Sequence, residues 1–238
     1  MRLLLPEQRQ LDDLLDLYDA DGTPCLRGGF VASMDGAVAV GGASRPLQGP
    51  ADKQAFAALR AVCDAVLVGA GTARSEDYGP VRPGAPARAW RQAHGRGPAP
   101  LVLVSRSLDL DPAARAFTGE VRTVVLTCAA AAAPAGLHEV ADVVVVGDEA
   151  VDLPSAVAVL HERGLTRLLC EGGPRLLTDL LRAGLVDELC LTLAPLLVGA
   201  APSLLTETLA TPVRLELRHL VDGGDGSLLA RYGVGRVT

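Results

Sequence analysis

At residues 165–181 the chain reads LTRLLCEGGPRLLTDLL, an apolar β-rich run, a short break, and then leucines at helical spacing. The break is Glu171-Gly172-Gly173-Pro174. Adjacent glycines let a ligand approach the main chain closely, and Pro174 suits the first helical position because an N–H there would have no helical partner. A helix that begins here directs free N–H groups and a partial positive charge into the gap. The stretch therefore predicts a strand–helix junction that binds phosphate, with the Glu171 carboxylate beside it as a polar contact to a substrate.

Strands and helices alternate along much of the chain. Strand-like runs occur at residues 26–34, 65–69, 101–104, 121–127, 143–146 and 165–170, and helical patterns at 50–62, 154–163 and 175–183. Three further strand-like runs, at residues 188–193, 213–220 and 227–232, follow without helices between them. This order predicts an α/β fold with a mostly parallel mixed sheet and antiparallel strands at its C-terminal edge. We assign residues 25–238 to one domain and residues 1–24 to an N-terminal extension.

The composition indicates a globular domain without nucleic acid or membrane partners. The 238 residues are 49% hydrophobic and carry a formal net charge of −6, which gives no bulk attraction to nucleic acid. No run of about eighteen apolar residues occurs, and the N-terminal MRLLLPEQRQ is too short and too polar for a signal peptide. The cysteines show no ligand spacing and the histidines are expected at the surface, so no metal site is predicted. We expect a cytoplasmic protein.

A second glycine junction, Gly69-Ala70-Gly71-Thr72, also follows a strand directly. Two such junctions open at the same carboxyl edge of a parallel sheet, where α/β folds bind ligands. Taken alone, the pattern fits a plain tight turn equally well, and it is not the usual dinucleotide fingerprint. Ser105-Arg106-Ser107 follows another strand and suits either the 2′-phosphate of NADPH or a solvated strand end.

Other polar residues are candidates for chemistry at the same edge. Asp35 ends the first strand, as a catalytic carboxylate or as a turn residue. Arg60 lies in an apolar helix end and either extends to solvent or reaches a substrate phosphate. Residues 78–108 contain arginines, including Arg82, but no acidic residue. That basic zone suits an anionic ligand, although its prolines and glycines also allow a mobile loop.

Several segments, taken in order, resemble the riboflavin-pathway pyrimidine reductases. They are FVASMDG (30–36), AVLVGAGTARSED (65–77), LVLVS (101–105), LTRLLCEGGPRLLTDLL (165–181) and APLLVG (194–199). The resemblance implies a dihydrofolate-reductase-like three-layer α/β/α fold. It also implies a homodimer that uses NADPH to reduce a ribosylamino-pyrimidine 5′-phosphate to its ribitylamino form. Exposed edges at residues 188–193 and 213–220 are where we expect the sheet to extend across a dimer.

The resemblance also implies roles for individual residues. Asp35 and Glu171 are the candidate catalytic carboxylates, and Ser44, Arg60, Arg82 and Glu171 the candidate substrate contacts. The implied cofactor contacts are Ala32, Gly71, Thr72, Glu76, Ser105, Gly172, Gly173, Pro174, Arg175, Leu176 and Leu177.

Two departures from the family pattern leave the substrate open. The zinc deaminase signature is missing, and Glu76-Asp77-Tyr78 stands where Asp-Asp-Pro is usual. A dihydrofolate or pterin reductase on the same fold is one alternative. A non-catalytic, dimeric nucleotide-binding regulator is the other.

Overall fold

A computed structural model describes residues 1–11, 14–19 and 24–235, which build one eleven-stranded sheet with helices on both sides. The strands are β1 (Arg2–Leu5), β2 (Arg9–Gln10), β3 (Cys25–Ser33), β4 (Ala65–Gly69), β5 (Leu101–Val104), β6 (Thr123–Thr127), β7 (Ala141–Val145), β8 (Arg167–Cys170), β9 (Glu188–Ala194), β10 (Leu215–Asp222) and β11 (Leu228–Val234). The helices are α1 (Leu15–Tyr18), α2 (Pro50–Val62), α3 (Ala70–Ser75), α4 (Ala85–Ala93), α5 (Leu137–Val140), α6 (Leu153–Glu162) and α7 (Pro174–Arg182). Short 3₁₀ turns occur at Arg45–Leu47 and Arg115–Phe117.

The sheet confirms the predicted α/β fold. Its strand order is β2-β1-β10-β11-β9-β3-β8-β4-β5-β6-β7, and the seven strands from β9 to β7 are parallel. The pairs β9–β11, β11–β10, β10–β1 and β1–β2 are antiparallel. The carboxyl ends of the parallel strands therefore lie along one edge, and this edge carries both glycine junctions.

Alternate residues of the central strands pack against opposite layers of helices. In β5, Leu101 and Leu103 belong to the core shared with α2, whereas Val102 belongs to the core shared with α6 and α7. Strands that are buried on both faces need continuous apolar sequence, and this is why LVLV and AVLVG occur without polar alternation.

The expectation that residues 188–193 form an exposed edge was wrong, because strand β9 lies between β3 and β11 and is parallel to β3. Strand β10 is covered over its second half, where β1 pairs with residues 220–222 and the sheet continues through β1 and β2. Its first half pairs with β11 alone among the described residues. Helix α4 was not predicted; it lies inside the basic zone of residues 78–108, for which an anionic-ligand site or a mobile loop was expected.

A buried charge cluster joins the N-terminal segment to the sheet. Glu188 accepts hydrogen bonds from Arg27 and Arg231, whose guanidinium groups also donate to the main-chain carbonyls of Tyr18 and Leu17. His219 is buried against the Tyr18 ring, with 5.2 Å between ring centroids, so the prediction that all histidines lie at the surface was wrong. The predicted domain boundary after residue 24 adjoins residues 20–23, which lie outside the described chain.

Neither a membrane-spanning helix nor a metal-binding cluster is found in the described chain. None of its helices is both long enough and apolar enough to cross a membrane. Its His, Cys, Asp and Glu side chains form no group that is arranged to hold a metal ion.

Candidate functional site

Two adjoining cavities open at the carboxyl edge of the parallel strands. The larger has a volume of about 930 Å³ and the smaller about 250 Å³. Thr72, Gly173 and Pro174 line both of them, so the two glycine junctions form a shared wall. The arrangement is a divided site with an outer groove and an inner pocket.

The outer groove has the features of a dinucleotide site. Its lining includes residues 69–72, residues 105–107 and the start of α7, whose free N–H groups favour an anion. The Gly173 main chain is packed against Thr72, because a Cβ atom at Gly173 would lie 2.4 Å from the Thr72 hydroxyl oxygen. Main chain of this kind can contact a phosphate directly. These residues therefore fit an extended anionic cofactor.

Three arginines add positive charge to the groove. Arg74, Arg106 and Arg175 all line it. Arg74 is already paired with Asp109, at 3.4 Å between the guanidinium and the carboxylate. For Arg106 and Arg175, the described residues supply no carboxylate partner. Both remain available to a phosphate group of a ligand.

The inner pocket contains a buried carboxylate bound by two side chains. The Glu171 side chain is 0% exposed and accepts two hydrogen bonds of 2.6 Å from the Arg60 guanidinium. The Tyr78 hydroxyl donates a third, of 2.9 Å, to Glu171 Oε2. Bidentate pairing with Arg compensates the burial of the carboxylate charge and fixes the plane of the group.

The local electrostatics keep both donors protonated. Burial alone would lower the pKa of Arg60, but the adjacent charge of Glu171 raises it above its usual value. Burial, and then the charge of Glu171, raises the pKa of Tyr78 well above the ordinary phenol range. The arrangement can keep the Glu171 carboxylate in position to stabilise a cation that forms in the pocket.

A loop contact closes the other side of the pocket. The Ser44 main-chain N–H donates a 2.6 Å hydrogen bond to Glu76 Oε1, and both residues line the inner pocket. Ser44, expected to contact the substrate, lines the inner pocket. Glu76, expected to bind the cofactor, lies on the pocket side of the divided site.

Asp35 lies at the expected strand end but has other partners. Its carboxylate accepts hydrogen bonds from the Ser33 hydroxyl and from the main-chain N–H groups of Val198 and Gly199. The hydrogen bond from Ser33, together with those two from the main chain, lowers the pKa of Asp35 to about 2. The group is exposed and anchors the 198–199 loop.

The structure brings most of the predicted site residues together, but not all. Ser44, Arg60, Glu76 and Glu171 line the inner pocket, Gly71, Ser105, Arg175 and Leu176 line the groove, and Thr72, Gly173 and Pro174 line both. The predicted residues that line neither cavity are Ala32, Asp35, Arg82, Gly172 and Leu177.

Two of these absences have a clear structural reason. Leu177 is fully buried in the core that α7 shares with the sheet. Arg82 lines a third cavity, of about 550 Å³, with α4. Tyr78 was not predicted as a site residue, and its only signal in the sequence was that it stands where the family usually has proline.

Comparisons with known proteins show the family and the fold of the chain. A family model described as RibD C-terminal domain matches residues 24–229. A 2,5-diamino-6-ribosylamino-4(3H)-pyrimidinone 5′-phosphate reductase of Methanothermobacter thermautotrophicus is 32% identical over 210 residues, covering 85% of this chain and 94% of its own. The protein of the same name from Archaeoglobus fulgidus is 35% identical over 148 residues, covering 61% and 68%. A crystal structure of a pyrimidine reductase-like protein from Corynebacterium diphtheriae superposes with a TM-score of 0.79 at 30% identity, covering 90% and 93%.

Proposed function

Because the chain belongs to the RibD C-terminal domain family, as the resemblance predicted, we propose that it reduces a ribosylamino-pyrimidine 5′-phosphate to the ribitylamino form with NADPH. The observation that carries this proposal is the shared wall of Thr72, Gly173 and Pro174. A reductase needs its cofactor and substrate to meet in van der Waals contact, away from water. A cofactor groove and a small pocket that contains a buried carboxylate, with a common wall, meet this need.

The cofactor of this proposal occupies the outer groove. A bound reduced nicotinamide supplies the hydride. The start of α7 faces the phosphates, and Arg106 and Arg175 give the groove its unpaired positive charge. A 2′-phosphate is the group that distinguishes NADPH from NADH, and a guanidinium binds it in bidentate fashion. The groove therefore favours NADPH.

The substrate of this proposal occupies the inner pocket beside Glu171. When the ribose ring opens, the C1′–O bond breaks, the ring oxygen takes a proton, and the amine lone pair forms a C1′=N iminium. Hydride then adds to C1′, and the π electrons of the C=N bond become the nitrogen lone pair. The Glu171 carboxylate stabilises the positive iminium before the hydride neutralises it.

Other polar groups of the pocket hold the rest of the substrate. Arg60 uses its Nε and one terminal nitrogen on Glu171, and among the described residues the second terminal nitrogen has no hydrogen-bond partner, so it is available to a sugar oxygen or phosphate. The Arg60 side chain is 38% exposed and lines the inner pocket. Ser44 and Gln48 line the same side of the pocket and supply further donors.

We also propose that two copies of the chain associate. Among the described residues, the first half of β10 is paired only with β11, because β1 pairs with residues 220–222. Leu215 and Leu217 in this half are 41% and 39% exposed. An open strand with exposed leucines is suited to pairing with another copy. Sedimentation velocity of the chain and of a Leu217→Lys variant tests this: a dimer that dissociates in the variant supports the proposal.

A cofactor-oxidation assay tests the proposed reaction directly. The purified protein is offered the ribosylamino-pyrimidine phosphate or dihydrofolate, each with NADPH or NADH, and the product is identified by mass spectrometry. We expect oxidation of NADPH and a ribitylamino product only with the pyrimidine. Turnover of dihydrofolate instead would identify a pterin reductase on the same fold. Binding of NADPH without turnover of either substrate would indicate a regulator.

A further inference from the structure

A tight turn after α3 brings Tyr78 to the inner pocket. Asp77 adopts a left-handed conformation, with φ of 49°, and the Tyr78 N–H donates to the Ala73 carbonyl at 2.9 Å. This is the geometry in which a helix commonly ends, and aspartate tolerates it better than most residues. Asp77 also pairs with Arg115 at 2.7 Å. The turn therefore holds the phenol ring in a defined direction, toward Glu171.

We propose that Tyr78 is a positioning residue that acts through Glu171. This inference rests on the proposed function. The Tyr78 hydroxyl donates to the same oxygen, Oε2, that accepts one of the two Arg60 hydrogen bonds. Arg60 fixes the plane of the carboxylate, and Tyr78 adds a second donor to Oε2. Together they hold the carboxylate in one orientation, and within the described chain Oε1 accepts a single hydrogen bond, from Arg60.

The phenol can only donate in this arrangement. Its raised pKa keeps it protonated at any pH at which the enzyme works. A neutral donor is weaker than a guanidinium, but a hydrogen bond to a charged group is still worth about tenfold in an equilibrium or a rate that depends on it. Removing the hydroxyl takes one of the two donors from Glu171 Oε2 and leaves the carboxylate less firmly oriented toward an iminium.

Other ionisable groups, on the elements around the pocket, lie close to Glu171 or Tyr78. Cys63 and Cys170 lie near Glu171, but burial raises the pKa of each thiol to about 12, so both stay neutral. Asp52, on α2, also lies within range of the Glu171 charge, and burial raises its pKa to about 6. Glu76 acts on the phenol of Tyr78. Asp52 is therefore the neighbour whose titration must be separated from the effect of removing the Tyr78 hydroxyl.

The first test compares Tyr78→Phe with Tyr232→Phe, a tyrosine on β11 that lines neither cavity. We expect Tyr78→Phe to lower kcat about tenfold, with the KM of the pyrimidine changed less than about threefold. We also expect kcat of Tyr78→Phe to stay low across the whole pH profile, because Tyr78 is protonated throughout it. The same profile measured in Asp52→Asn shows which limb belongs to Asp52. A kcat and pH profile unchanged in Tyr78→Phe would overturn the proposal, as would equal losses in the two tyrosine variants.

A double-mutant cycle tests whether the effect passes through Glu171. In a Glu171→Gln background the charge is gone, so adding Tyr78→Phe should lower the residual kcat less than about twofold. A full tenfold further loss would mean that Tyr78 acts on the substrate directly, and this would refute a positioning role.

Crystal structures without substrate separate this inference from the proposed reaction. The orientation of the Glu171 carboxylate is compared between the unliganded protein and unliganded Tyr78→Phe. Rotation of the carboxylate plane, or larger displacement parameters of its oxygens, in Tyr78→Phe supports the positioning role even if the pyrimidine proves not to be the substrate. An identical, equally well-ordered carboxylate in both structures would reject the role even if the pyrimidine is turned over.

Discussion

The Gly69 main-chain N–H donates a 2.7 Å hydrogen bond to the carbonyl oxygen of Gly172. This bond joins the two glycine junctions, which are about a hundred residues apart in the sequence. It continues the pairing of β4 with β8 past the strand ends, since the Glu171 N–H also donates to the Leu67 carbonyl at 3.0 Å. Because of this pairing, Gly173 lies against Thr72, and the groove and pocket share a wall.

Gly173→Ala should weaken cofactor binding at least about tenfold. The new Cβ atom would stand 2.4 Å from the Thr72 hydroxyl oxygen, so the wall must open by more than a few tenths of an ångström. Isothermal titration calorimetry with NADPH measures the effect. Gly97→Ala is the matched control, because its Cβ meets nothing within 4 Å and it lies outside the groove. Equal affinities in the two variants would show that the contact between Gly173 and Thr72 is not needed for binding.

Arg106→Ala should reduce the preference for NADPH over NADH. The side chain is exposed in the groove without a carboxylate partner in the described chain, so its charge is free for a 2′-phosphate. Loss of such a contact is expected to raise the Kd for NADPH by about 10- to 100-fold and to leave that for NADH unchanged. Arg74→Ala, which removes an arginine already paired with Asp109, should have a smaller effect. A parallel loss for both cofactors would place Arg106 away from the 2′-phosphate.

Glu171→Gln should lower turnover by about 100-fold and leave the Kd for NADPH within about threefold of the original value. Glutamine keeps the shape but removes the charge that stabilises an iminium, and residue 171 lines only the inner pocket. Asp35→Asn provides the comparison between the two predicted carboxylates. Because Asp35 binds Ser33, Val198 and Gly199, we expect this change to act through the loop and to cost less than about tenfold. A larger loss of turnover in Asp35→Asn than in Glu171→Gln would reverse these roles.

Some of this structure could be predicted from local sequence, and some could not. Continuous apolar runs identified β4, β5 and β8, because strands buried on both faces need that pattern. The glycine junctions were predictable, since main-chain contact with a ligand restricts the residue type. Two-residue β2 has no periodicity to detect, and the position of β9 inside the sheet depends on long-range pairing with β3.

The site shows the same division between local and long-range information. The sequence identified Arg60 and Glu171 separately, each with a role toward substrate. Their mutual pairing joins residues 111 positions apart, and no local pattern encodes such a contact. Tyr78 could not be assigned from sequence, because its role depends on the turn at Asp77 and on the position of Glu171.

His219→Phe should make folding stability less sensitive to acid. Burial, and then the charge of Arg231, lowers the pKa of His219 from 6.5 to about 4, while Arg27 also opposes its protonation and Glu188 favours it. Below about pH 6.5 the imidazole is therefore protonated in the unfolded chain, whereas in the folded chain it stays neutral down to about pH 4. Across this interval the free energy of unfolding falls by about 3 kcal/mol because of this one group.

Urea unfolding at several pH values between 7 and 4 measures this slope. We expect the free energy of unfolding of His219→Phe to fall less steeply with acid than that of the unchanged chain, because phenylalanine retains the contact with Tyr18 but cannot titrate. His138→Phe is the control, since His138 is exposed. If His219→Phe does not fold, the NMR titration of His219 in the unchanged chain gives the same information. A midpoint near 6.5 there, or equal slopes in the two variants, would show that His219 is accessible to protons in the folded state.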